Sequence, residues 1–524
     1  MKNNNIATLI IEKEYCIGMT DERLFGSFVE HMGSTVYGGI FQPDHSSSNM
    51  FGFRQDTLNI LKELHLSVIR YPGGNFVSGF DWKDSIGPKD TRPRRLDLAW
   101  KAIESNQFGL DEFMQWLDLL GSNAIQTINL GTGDMRSAIE LLEYCNMDTT
   151  TEYAQLRKQN GRNKPYGIKT WCLGNEMDGP WQIAGKSANE YGRLALETGK
   201  IMKMLDPSIE LIISGSSTSR MDTFPEWDKD ILMHCYEIAD YISLHHYVDR
   251  TCPPQEISEE SFFRSIEKPV LLDTPTYLAR TLNVEQQIKD IIATCDYVKA
   301  VKRSSKTMYL CFDEWNTLSS NKYNQPERKP WEIGEPIDYV PHTMEDALVA
   351  ASIMMAILRH ADRVKIACQS LLVNTGGLVF TSPDGGVTRN TIFYPFLHLS
   401  RYGRGIVLKN ILMSPVYDCE EKEGVPYIDS LTVFDEENQI LSIFAVNRAV
   451  NTIQMLVDAR DFGSATEMEQ ISMRNDDLHA CNAIGKPETV FPSKIRQVPI
   501  ENGKLEVELG SYSWNVIRVK YGKQ

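Results

Sequence analysis

The feature that most constrains this chain is an eightfold alternation of short apolar runs and longer amphipathic segments between residues 21 and 400. The runs are rich in Val, Ile and Leu and mostly continuous, which is typical of strands buried on both faces. They are Phe25–His31, Ser67–Pro72, Ala124–Leu130, Ile168–Gly174, Ile209–Gly215, Tyr241–Tyr247, Thr307–Trp315 and Val364–Val373. Segments of helical period lie between them, among them 109–120, 188–205 and 344–360. This alternation predicts an α/β fold with a (β/α)₈ TIM barrel, because a doubly wound sheet commonly has only about five or six strands.

After residue 400 the pattern changes to short, partly alternating runs separated by Gly, Asn, Asp and Pro, without helical segments between them. Such spacing predicts antiparallel strands packed as a sandwich. We therefore expect a barrel over residues 21–400 and a C-terminal, jelly-roll-like antiparallel β-sandwich over 401–524. The apolar N-terminal run, within residues 1–20, is expected to join the sandwich because it precedes the barrel and must pack somewhere. The expected sandwich strands are Ala7–Glu12, Pro426–Phe434, Ile440–Val446, Thr452–Val457, Ala465–Met473 and Lys504–Val519.

The charge and the cysteines narrow the class of protein. The chain has 54 Lys and Arg against 70 Asp and Glu, a net charge of −16, which argues against a nucleic-acid or anionic-membrane partner. No stretch reaches the roughly 18 apolar residues of a membrane span, and the N-terminal apolar run is too short for a signal peptide. The ten cysteines are widely spaced without a CxxC pair, as expected of reduced thiols. These features predict a cytoplasmic protein.

Polar side chains stand at the carboxyl ends of nearly all the predicted barrel strands, where barrel enzymes carry their active sites. One such residue alone is commonly structural, but their joint presence predicts a single polar site. A long connection, residues 316–342, follows the seventh strand, and long connections in compact domains are usually functional. The strand-end residues are Glu30, His31, Arg70, Asn75, Asn129, Asn175, Glu176, His245, Tyr247, Asp313, Glu314 and Asn374.

Two of these carboxylates, Glu176 and Glu314, follow strands four and seven, which lie on opposite sides of an eight-stranded barrel. Glycoside hydrolysis requires one carboxylic acid that protonates the leaving oxygen and one carboxylate that attacks the anomeric carbon or activates water. The roles require opposite protonation states, so we expect Glu314 to be ionised, favoured by Arg70 if it lies alongside, and Glu176 to be protonated at rest. A separation of roughly 5–5.5 Å would indicate retention and roughly 6.5–9.5 Å inversion.

Three other functions are alternatives to a hydrolase. The turn 131–133 reads Gly-Thr-Gly after a strand, as in dinucleotide-binding proteins, but Arg136 stands where the third glycine is required. A metal site is the second alternative, although no HExxH motif occurs. A non-catalytic sugar-binding protein is the third, and the intact glutamate pair argues against it. Sugar-stacking walls could come from Trp171, Trp181, Trp315 and Trp331, although core packing is expected for Trp171 because it lies inside a predicted strand. We therefore expect neither a cofactor nor a bound metal. The residues open to a metal would be His245, His246, Asp313 and Glu314.

Two long strings carry a family resemblance. Residues 171–182, WCLGNEMDGPWQ, resemble the acid/base segment of glycoside hydrolase family 51, and residues 312–316, FDEWN, resemble its nucleophile segment. Residues 70–79, 240–245 and 511–518 resemble further segments, so the resemblance extends from about residue 20 to the end. It implies a retaining α-L-arabinofuranosidase acting on small arabinose-containing oligosaccharides, and a homo-oligomer, often a hexamer. The family also contains glycosidases of other sugars, so a galactofuranoside, a xyloside or a glucan remains an alternative substrate.

The resemblance also implies a role for each matching residue. Glu176 would be the acid/base and Glu314 the nucleophile. Asn175 would hold the 2-hydroxyl, whereas Glu30 and Asn75 would bind other furanose hydroxyls. The remaining expected contacts are Arg70, which would orient the nucleophile, His245 and Tyr247, which would flank it, and Trp100, a candidate wall of the sugar pocket.

Three departures from the family pattern concern the sugar pocket. The loop after strand three reads Gly133-Asp134 where the family usually has Arg-Gly, and Leu318 replaces an aromatic residue. Leu371 stands where a sugar-binding Gln is usual, and the nearest Gln is Gln369. Because side chains alternate along a strand, we expect Gln369 to point the same way as Leu371 and to substitute from one layer deeper. These changes leave the hydrolytic pair intact but leave the sugar open.

Overall fold

The computed structural model describes residues 5–252, 270–318, 328–337, 339–495 and 503–522. Eight parallel strands close into a barrel. Each pairs with the barrel strands that precede and follow it in sequence order, and the eighth pairs with the first, which confirms the predicted fold class. We call them barrel strands one to eight. They are Gly26–Phe28, Val68–Tyr71, Asn123–Ile128, Thr170–Leu173, Glu210–Ile213, Tyr241–Asp249, Tyr309–Leu318 and Val364–Gln369.

Helices surround the barrel between successive strands. The segment predicted over 188–205 is a helix with those bounds, and Ser187 caps its N-terminus with a side chain that accepts a hydrogen bond from the N–H of Glu190. Every residue of helix Met344–Leu358 is buried, because this helix packs on the barrel and also on the sandwich. The α-helices of the described residues are Gln55–Lys62, Leu110–Leu120, Met135–Asn146, Glu152–Gln159, Ala188–Leu205, Glu226–Cys235, Thr274–Ala279, Leu282–Lys302, Met344–Leu358 and Phe393–Tyr402. Short 3₁₀ helices are Glu22–Leu24, Asn75–Gly79, Trp82–Ser85, Lys89–Thr91 and Arg460–Phe462.

Two sheets form the C-terminal sandwich, and alternating apolar side chains from both sheets fill its core. The predicted run 504–519 consists of two strands because the chain turns at Ser511 and Tyr512, the latter with φ 42°. The seven-stranded sheet contains, in spatial order, Cys16–Met19, Ile406–Leu408, Ile428–Asp435, Ile440–Asn447, Ser513–Tyr521, Ala465–Met473 and Ser493–Ile495. The four-stranded sheet contains Ile411–Met413, Ile6–Ile10, Ile453–Asp458 and Lys504–Leu509. Two-stranded ribbons are Arg95–Asp97 with Ala102–Glu104, Thr251–Cys252 with Val270–Leu271, Val379–Thr381 with Val387–Arg389, and Val416–Tyr417 with Val425–Pro426.

The N-terminal strands lie in the sandwich. Strand Ile6–Ile10 pairs parallel with Ile453–Asp458 and antiparallel with Ile411–Met413, so the sandwich contains one parallel pair among its antiparallel ones. The division of the chain at residue 400 stays a prediction.

Buried ion pairs join the sandwich to the barrel helices. Asp429 lies 2.8 Å from a guanidinium nitrogen of Arg359 and 3.0 Å from one of Arg448. Arg359 also reaches Glu285, on helix Leu282–Lys302, at 2.9 Å. The Trp514 indole N–H donates to His398 Nδ1 at 3.0 Å. Through Arg359 and His398, two helices that follow late barrel strands are thus tied to the sandwich.

The nine cysteines whose side chains the structure describes are all free. Cys172, Cys311 and Cys368 belong to the apolar cluster inside the barrel, below the polar rim. Within the described ranges, no helix is long and apolar enough to cross a membrane.

Candidate active site

A cavity of about 320 Å³ opens at the carboxyl ends of the barrel strands. Its volume is at the lower end of the range typical of small-ligand pockets, about 300–1,000 Å³. Five residues of the predicted 316–342 connection also line it, namely Asn316, Thr317, Leu318, Val340 and His342, whereas residues 319–327 and 338 of that connection lie outside the described residues. Six predicted site residues line it: Glu30, Asn75, Trp100, Glu176, Tyr247 and Glu314.

Glu314 enters this cavity because strand seven is irregular at that point. Side chains alternate along a regular strand, so Asp313 and Glu314 would face opposite ways. The pairing with strand six shifts register between Ser243 and His245, and the pairing with strand eight shifts between Phe312 and Trp315. Such bulges redirect side chains. Asp313 and Glu314 are both buried and both reach the polar centre of the barrel.

Arg70, from strand two, contacts both neighbouring carboxylates. Its Nη1 donates to Glu314 Oε1 at 2.7 Å, and its Nε lies 3.1 Å from Asp313 Oδ2. Its Nη2 donates to Asn175 Oδ1 at 2.6 Å, and the guanidinium carbon lies 5.0 Å from the centre of the Phe28 ring. The whole fork of the guanidinium is thereby fixed, which is how an arginine holds carboxylates in a defined orientation.

His245, from strand six, joins the two catalytic candidates. Its Nδ1 lies 2.9 Å from Glu176 Oε1 and 3.6 Å from Glu314 Oε2, and its Nε2 lies 3.2 Å from Asp313 Oδ1. Burial acts to lower the pKa of His245, but the charges of Glu314 and Asp313 outweigh it and raise the pKa well above the ordinary value. The imidazole is therefore protonated at neutral pH, and each of its ring nitrogens faces at least one carboxylate.

Glu176 follows strand four in a backbone conformation that side-chain-bearing residues rarely adopt, with φ 44°. Its Oε2 accepts a hydrogen bond from the Trp181 indole N–H at 2.5 Å, and its Oε1 lies against His245. Both oxygens are therefore oriented while one edge of the carboxyl still faces the cavity.

The spacing of the two glutamates is short. One carboxylate oxygen of Glu176 and one of Glu314 lie within 4.8 Å of each other, and one ring nitrogen of His245 lies within the same distance of both. Retaining glycosidases have carboxyl groups about 5–5.5 Å apart, and inverting ones leave about 6.5–9.5 Å for a water. This closest approach of two oxygens is shorter than the separation that an inverting enzyme needs for a water, and it favours the retaining arrangement.

Burial and the opposing charges determine the protonation of Glu314 and Asp313. Burial raises the pKa of Glu314, and the carboxylate of Glu176 adds to this, while His245 and Arg70 act in the opposite direction. Burial likewise acts to raise the pKa of Asp313, but Arg70 and His245 outweigh it and lower that pKa. Burial prevails, and the pKa of Glu314 lies above its ordinary value, so the ionised Glu314 expected from the sequence depends on these two cations. Tyr247, whose hydroxyl lies 2.8 Å from Glu314 Oε2, adds a hydrogen-bond partner.

Glu30 lies beside this pair on the loop after strand one. Its Oε1 accepts hydrogen bonds from the Phe76 N–H and the Trp100 indole N–H, each at 2.9 Å. The backbone comes very close at Gly74, where an added Cβ would lie 2.2 Å from Glu30 Oε2, so no side chain fits there. Burial, and secondly the negative charge of Glu314, raise the pKa of Glu30 to about 8.

Four predicted site residues do not line the cavity. Arg70, Asn175 and His245 lie directly behind it and contact residues that do, since Asn175 Nδ2 donates to Asn75 Oδ1 at 3.1 Å. The structure corrects the predicted position of Gln369 in the sugar pocket. Its Oε1 lies 3.3 Å from the Ser27 hydroxyl, away from the cavity, and strand eight ends at this residue, so the alternation that would align it with Leu371 does not continue. Leu371 itself lines the cavity.

The geometry also bears on the alternative functions. The N–H groups of residues 131, 132 and 133 all bond to the Asn129 side-chain oxygen at 3.0–3.1 Å, so they are not free to hold a phosphate. His246 contacts Gln287 at 2.6 Å, away from the cavity, and burial lowers its pKa to about 4. Glu176, His245 and Glu314 could together offer three atoms to a cation. A protonated imidazole is not a ligand, however, and both carboxylates already accept hydrogen bonds, so the arrangement is typical of an ion-pair network.

Some residues of this site were weaker or absent in the sequence prediction. Trp181 was expected only as one of several aromatic walls, and Asp313 only as a possible metal ligand. Ser370, whose Oγ lies 2.7 Å from the Tyr247 hydroxyl, was not predicted at all. The sequence analysis predicts the neighbouring Gln369 in the pocket instead. A serine at the end of a strand has no sequence motif by which it could be recognised. Among the other aromatic candidates, Trp171 and Trp315 are buried in the core and Trp331 is exposed.

The comparisons with known proteins agree with this geometry. Residues 60–260 match the family profile described as "Alpha-L-arabinofuranosidase 1 domain", and residues 313–513 match "Alpha-L-arabinofuranosidase C-terminal domain". Over 98% of this chain and 99% of the relative, the sequence is 45% identical to intracellular exo-α-(1→5)-L-arabinofuranosidase 1 of Bacillus subtilis (strain 168). It is 43% identical, with the same coverage, to the intracellular exo-α-(1→5)-L-arabinofuranosidase of Acetivibrio thermocellus. The solved structure of a family 51 α-L-arabinofuranosidase from Bifidobacterium longum has a TM-score of 0.90, with 33% identity over 98% of this chain and 99% of that one.

The chain belongs to the family 51 α-L-arabinofuranosidases. This membership covers both the barrel and the sandwich, because the matches extend over nearly the full length of each relative. The three departures at Gly133, Leu318 and Leu371 are therefore differences within a family 51 protein.

The raised pKa of Glu30 gives a test of this electrostatic description. Between its ordinary value of 4.5 and about 8, folded protein holds a proton that unfolded protein has lost. The free energy of unfolding should therefore fall as pH rises through this window, by up to about 1.4 kcal/mol per pH unit from this group. In Glu30→Gln this contribution should be absent. Urea unfolding at pH 5, 6.5 and 8 measures it.

The matched control is Glu437→Gln, an exposed carboxylate in a turn of the sandwich. Its stability should follow that of the wild type at each pH. If Glu30→Gln also runs parallel to the wild type, Glu30 is ionised across the window and the assigned charge balance is wrong.

Proposed function

We propose that this protein is a retaining, exo-acting α-L-arabinofuranosidase that releases terminal α-L-arabinofuranosyl residues from arabinose-containing oligosaccharides. The observation that carries the proposal is the pair of buried carboxylates, Glu176 and Glu314, which bring one oxygen each within 4.8 Å of each other and are linked by the imidazole of His245. Family membership supports arabinofuranose as the sugar that is released. The cavity of about 320 Å³ has room for one terminal sugar and its leaving group, and is small for a polymer chain.

The first half of the proposed reaction forms a covalent intermediate. Glu314 attacks the anomeric carbon while Glu176 donates a proton to the glycosidic oxygen, so the carbon–oxygen bond breaks and the leaving group departs as an alcohol. Arg70 and Tyr247 hold the attacking carboxylate in place. Glu30 and Asn75, which line the cavity, would hydrogen-bond the furanose hydroxyls.

The second half returns the enzyme to its starting state. Glu176, now a carboxylate, takes a proton from water as the water oxygen attacks the anomeric carbon, and the bond to Glu314 breaks. His245 contacts Glu176 and Glu314. It is therefore suited to stabilise whichever of the two carboxylates is charged at each stage.

The setting of the enzyme is also a proposal. We infer that it acts in the cytoplasm on short oligosaccharides, as the word "intracellular" in the names of its Bacillus subtilis and Acetivibrio thermocellus relatives suggests. A homo-oligomer, a hexamer by the family resemblance, stays a prediction.

A panel of 4-nitrophenyl glycosides tests the proposed sugar. The α-L-arabinofuranoside should be hydrolysed much faster than the β-D-galactofuranoside, β-D-xyloside or β-D-glucoside, without any nucleotide and equally with EDTA present. Glu314→Gln should lose this activity by several orders of magnitude, while the exposed Glu437→Gln keeps it. Preference for another glycoside would assign a different sugar, and sensitivity to EDTA would support a metal site.

The role of Glu176 is tested by changing the leaving group. An acid catalyst matters most when the leaving alcohol is a poor one, so Glu176→Ala should keep fair activity on 2,4-dinitrophenyl α-L-arabinofuranoside. On α-1,5-arabinobiose it should lose roughly 10²- to 10⁴-fold in kcat/KM. Equal losses on both substrates would remove Glu176 from the acid role.

A further inference from the structure

One side of the active-site cavity is formed by aliphatic side chains. Met32, Leu318, Val340 and Leu371 all line it, and we call them the apolar wall. They come from the loop after strand one, the end of strand seven, the segment 339–342 and the loop after strand eight. Strands seven, eight and one are neighbours in the barrel, so these four side chains occupy one continuous part of the rim.

Hydrogen bonds from side chains to backbone carbonyls connect the segments of the apolar wall. The ring of His342, two residues after Val340, bonds to the Thr317 carbonyl at 3.0 Å, which brings the 339–342 segment against the end of strand seven. The Thr375 hydroxyl donates to the Met32 carbonyl at 3.3 Å, which joins the loops after strands eight and one. The apolar wall is therefore part of the ordered rim.

The apolar wall extends from the nucleophile towards the mouth of the cavity. Leu318 lies four residues beyond Glu314 on the same strand, about 13 Å farther out at about 3.3 Å per residue. At its inner end, Leu371 follows Ser370, whose hydroxyl contacts Tyr247 beside Glu314. A group that leaves the anomeric carbon for the mouth of the cavity passes along this wall.

The opposite part of the rim carries more groups that can meet a sugar. Glu176 and Trp181 follow strand four, and Ser217 and Thr218 follow strand five, and these two strands lie across the barrel from strands eight and one. A second sugar presents hydroxyls on all sides. The polar side chains that share segments with the apolar wall also line the cavity, but each already makes a hydrogen bond within the protein; they are Asn316, Thr317, His342, Ser370 and Thr375. Burial of a hydrocarbon frame against the apolar wall is favourable, in contrast, and more so the larger the apolar area that is removed from water.

We propose that the apolar wall binds an apolar leaving group, so that the enzyme also cleaves arabinofuranosides of hydrocarbon-rich alcohols such as long-chain alkyl or terpenoid alcohols. This inference rests on the proposed function, because it takes the arabinofuranosyl unit and the proton donor Glu176 from it. The same double displacement applies, and the alcohol departs protonated.

The test compares methyl, butyl and octyl α-L-arabinofuranoside with α-1,5-arabinobiose. The alkyl alcohols are nearly equal as leaving groups, so differences in kcat/KM report contact with the alkyl chain and not bond strength. We expect kcat/KM to rise by up to about fourfold for each methylene group that the wall buries, and the octyl glycoside to exceed arabinobiose.

Variants assign the effect to the apolar wall. Leu318→Asn and Val340→Thr keep the size of each side chain, and each should lower the octyl-to-methyl ratio of kcat/KM severalfold. Both side chains are partly exposed, so neither substitution threatens folding as a change at buried Leu371 would. The matched control is Leu98→Asn, a leucine that is 63% exposed and lies outside the cavity, and it should leave the ratio unchanged.

The outcomes separate this inference from the proposed function. Equal kcat/KM for the methyl and octyl glycosides, or a rate on arabinobiose well above both, would overturn the apolar subsite while leaving the arabinofuranosidase intact. An octyl preference that survives both wall variants would also overturn it. Failure to hydrolyse any arabinofuranoside, including the 4-nitrophenyl one, would instead overturn the proposed function.

Discussion

The buried contact of two cations with neighbouring carboxylates is the constraint on which the rest of the site depends. Arg70 and His245 both contact Asp313, and both also contact Glu314, at the centre of a barrel that is otherwise apolar below this level. Charges removed from water are tolerated only when paired, so loss of either cation would leave a carboxylate uncompensated. Asp313, which does not line the cavity, thus orients the two cations that orient Glu314, the proposed nucleophile.

The barrel provides this arrangement because its members come from four strands that converge at one rim. Strand two delivers Arg70, strand six delivers His245 and strand seven delivers both Asp313 and Glu314, while the loop after strand four brings Glu176 to the same imidazole. Two local departures from regular backbone complete it: the register shifts around Glu314 and the positive φ of Glu176. Strained or irregular backbone at a site is retained when the surrounding fold holds it in place, as the closed barrel does here.

The sequence was most informative where patterns are regular. Eight apolar runs predicted the eight barrel strands because both faces of each strand are buried, and the long strings around Glu176 and Glu314 marked these two carboxylates as the catalytic candidates.

The sequence prediction failed where a regular pattern ends. Alternation placed Gln369 in the pocket, yet strand eight stops at that residue, and alternation also hid Asp313, whose orientation depends on a bulge. The run predicted over 504–519 contains a turn that hydrophobicity alone does not mark. The separation of the two carboxylates depends on packing and could not be predicted.

The central claim is that this network holds Glu314 close enough to attack the sugar directly, with no space for a water between them. The stereochemistry of hydrolysis tests it most directly. Proton NMR of the first-formed arabinose, recorded before mutarotation, should show the α-anomer from an α-L-arabinofuranoside, because two displacements at one carbon restore its configuration. Initial formation of the β-anomer would mean a single displacement by water and would contradict the account.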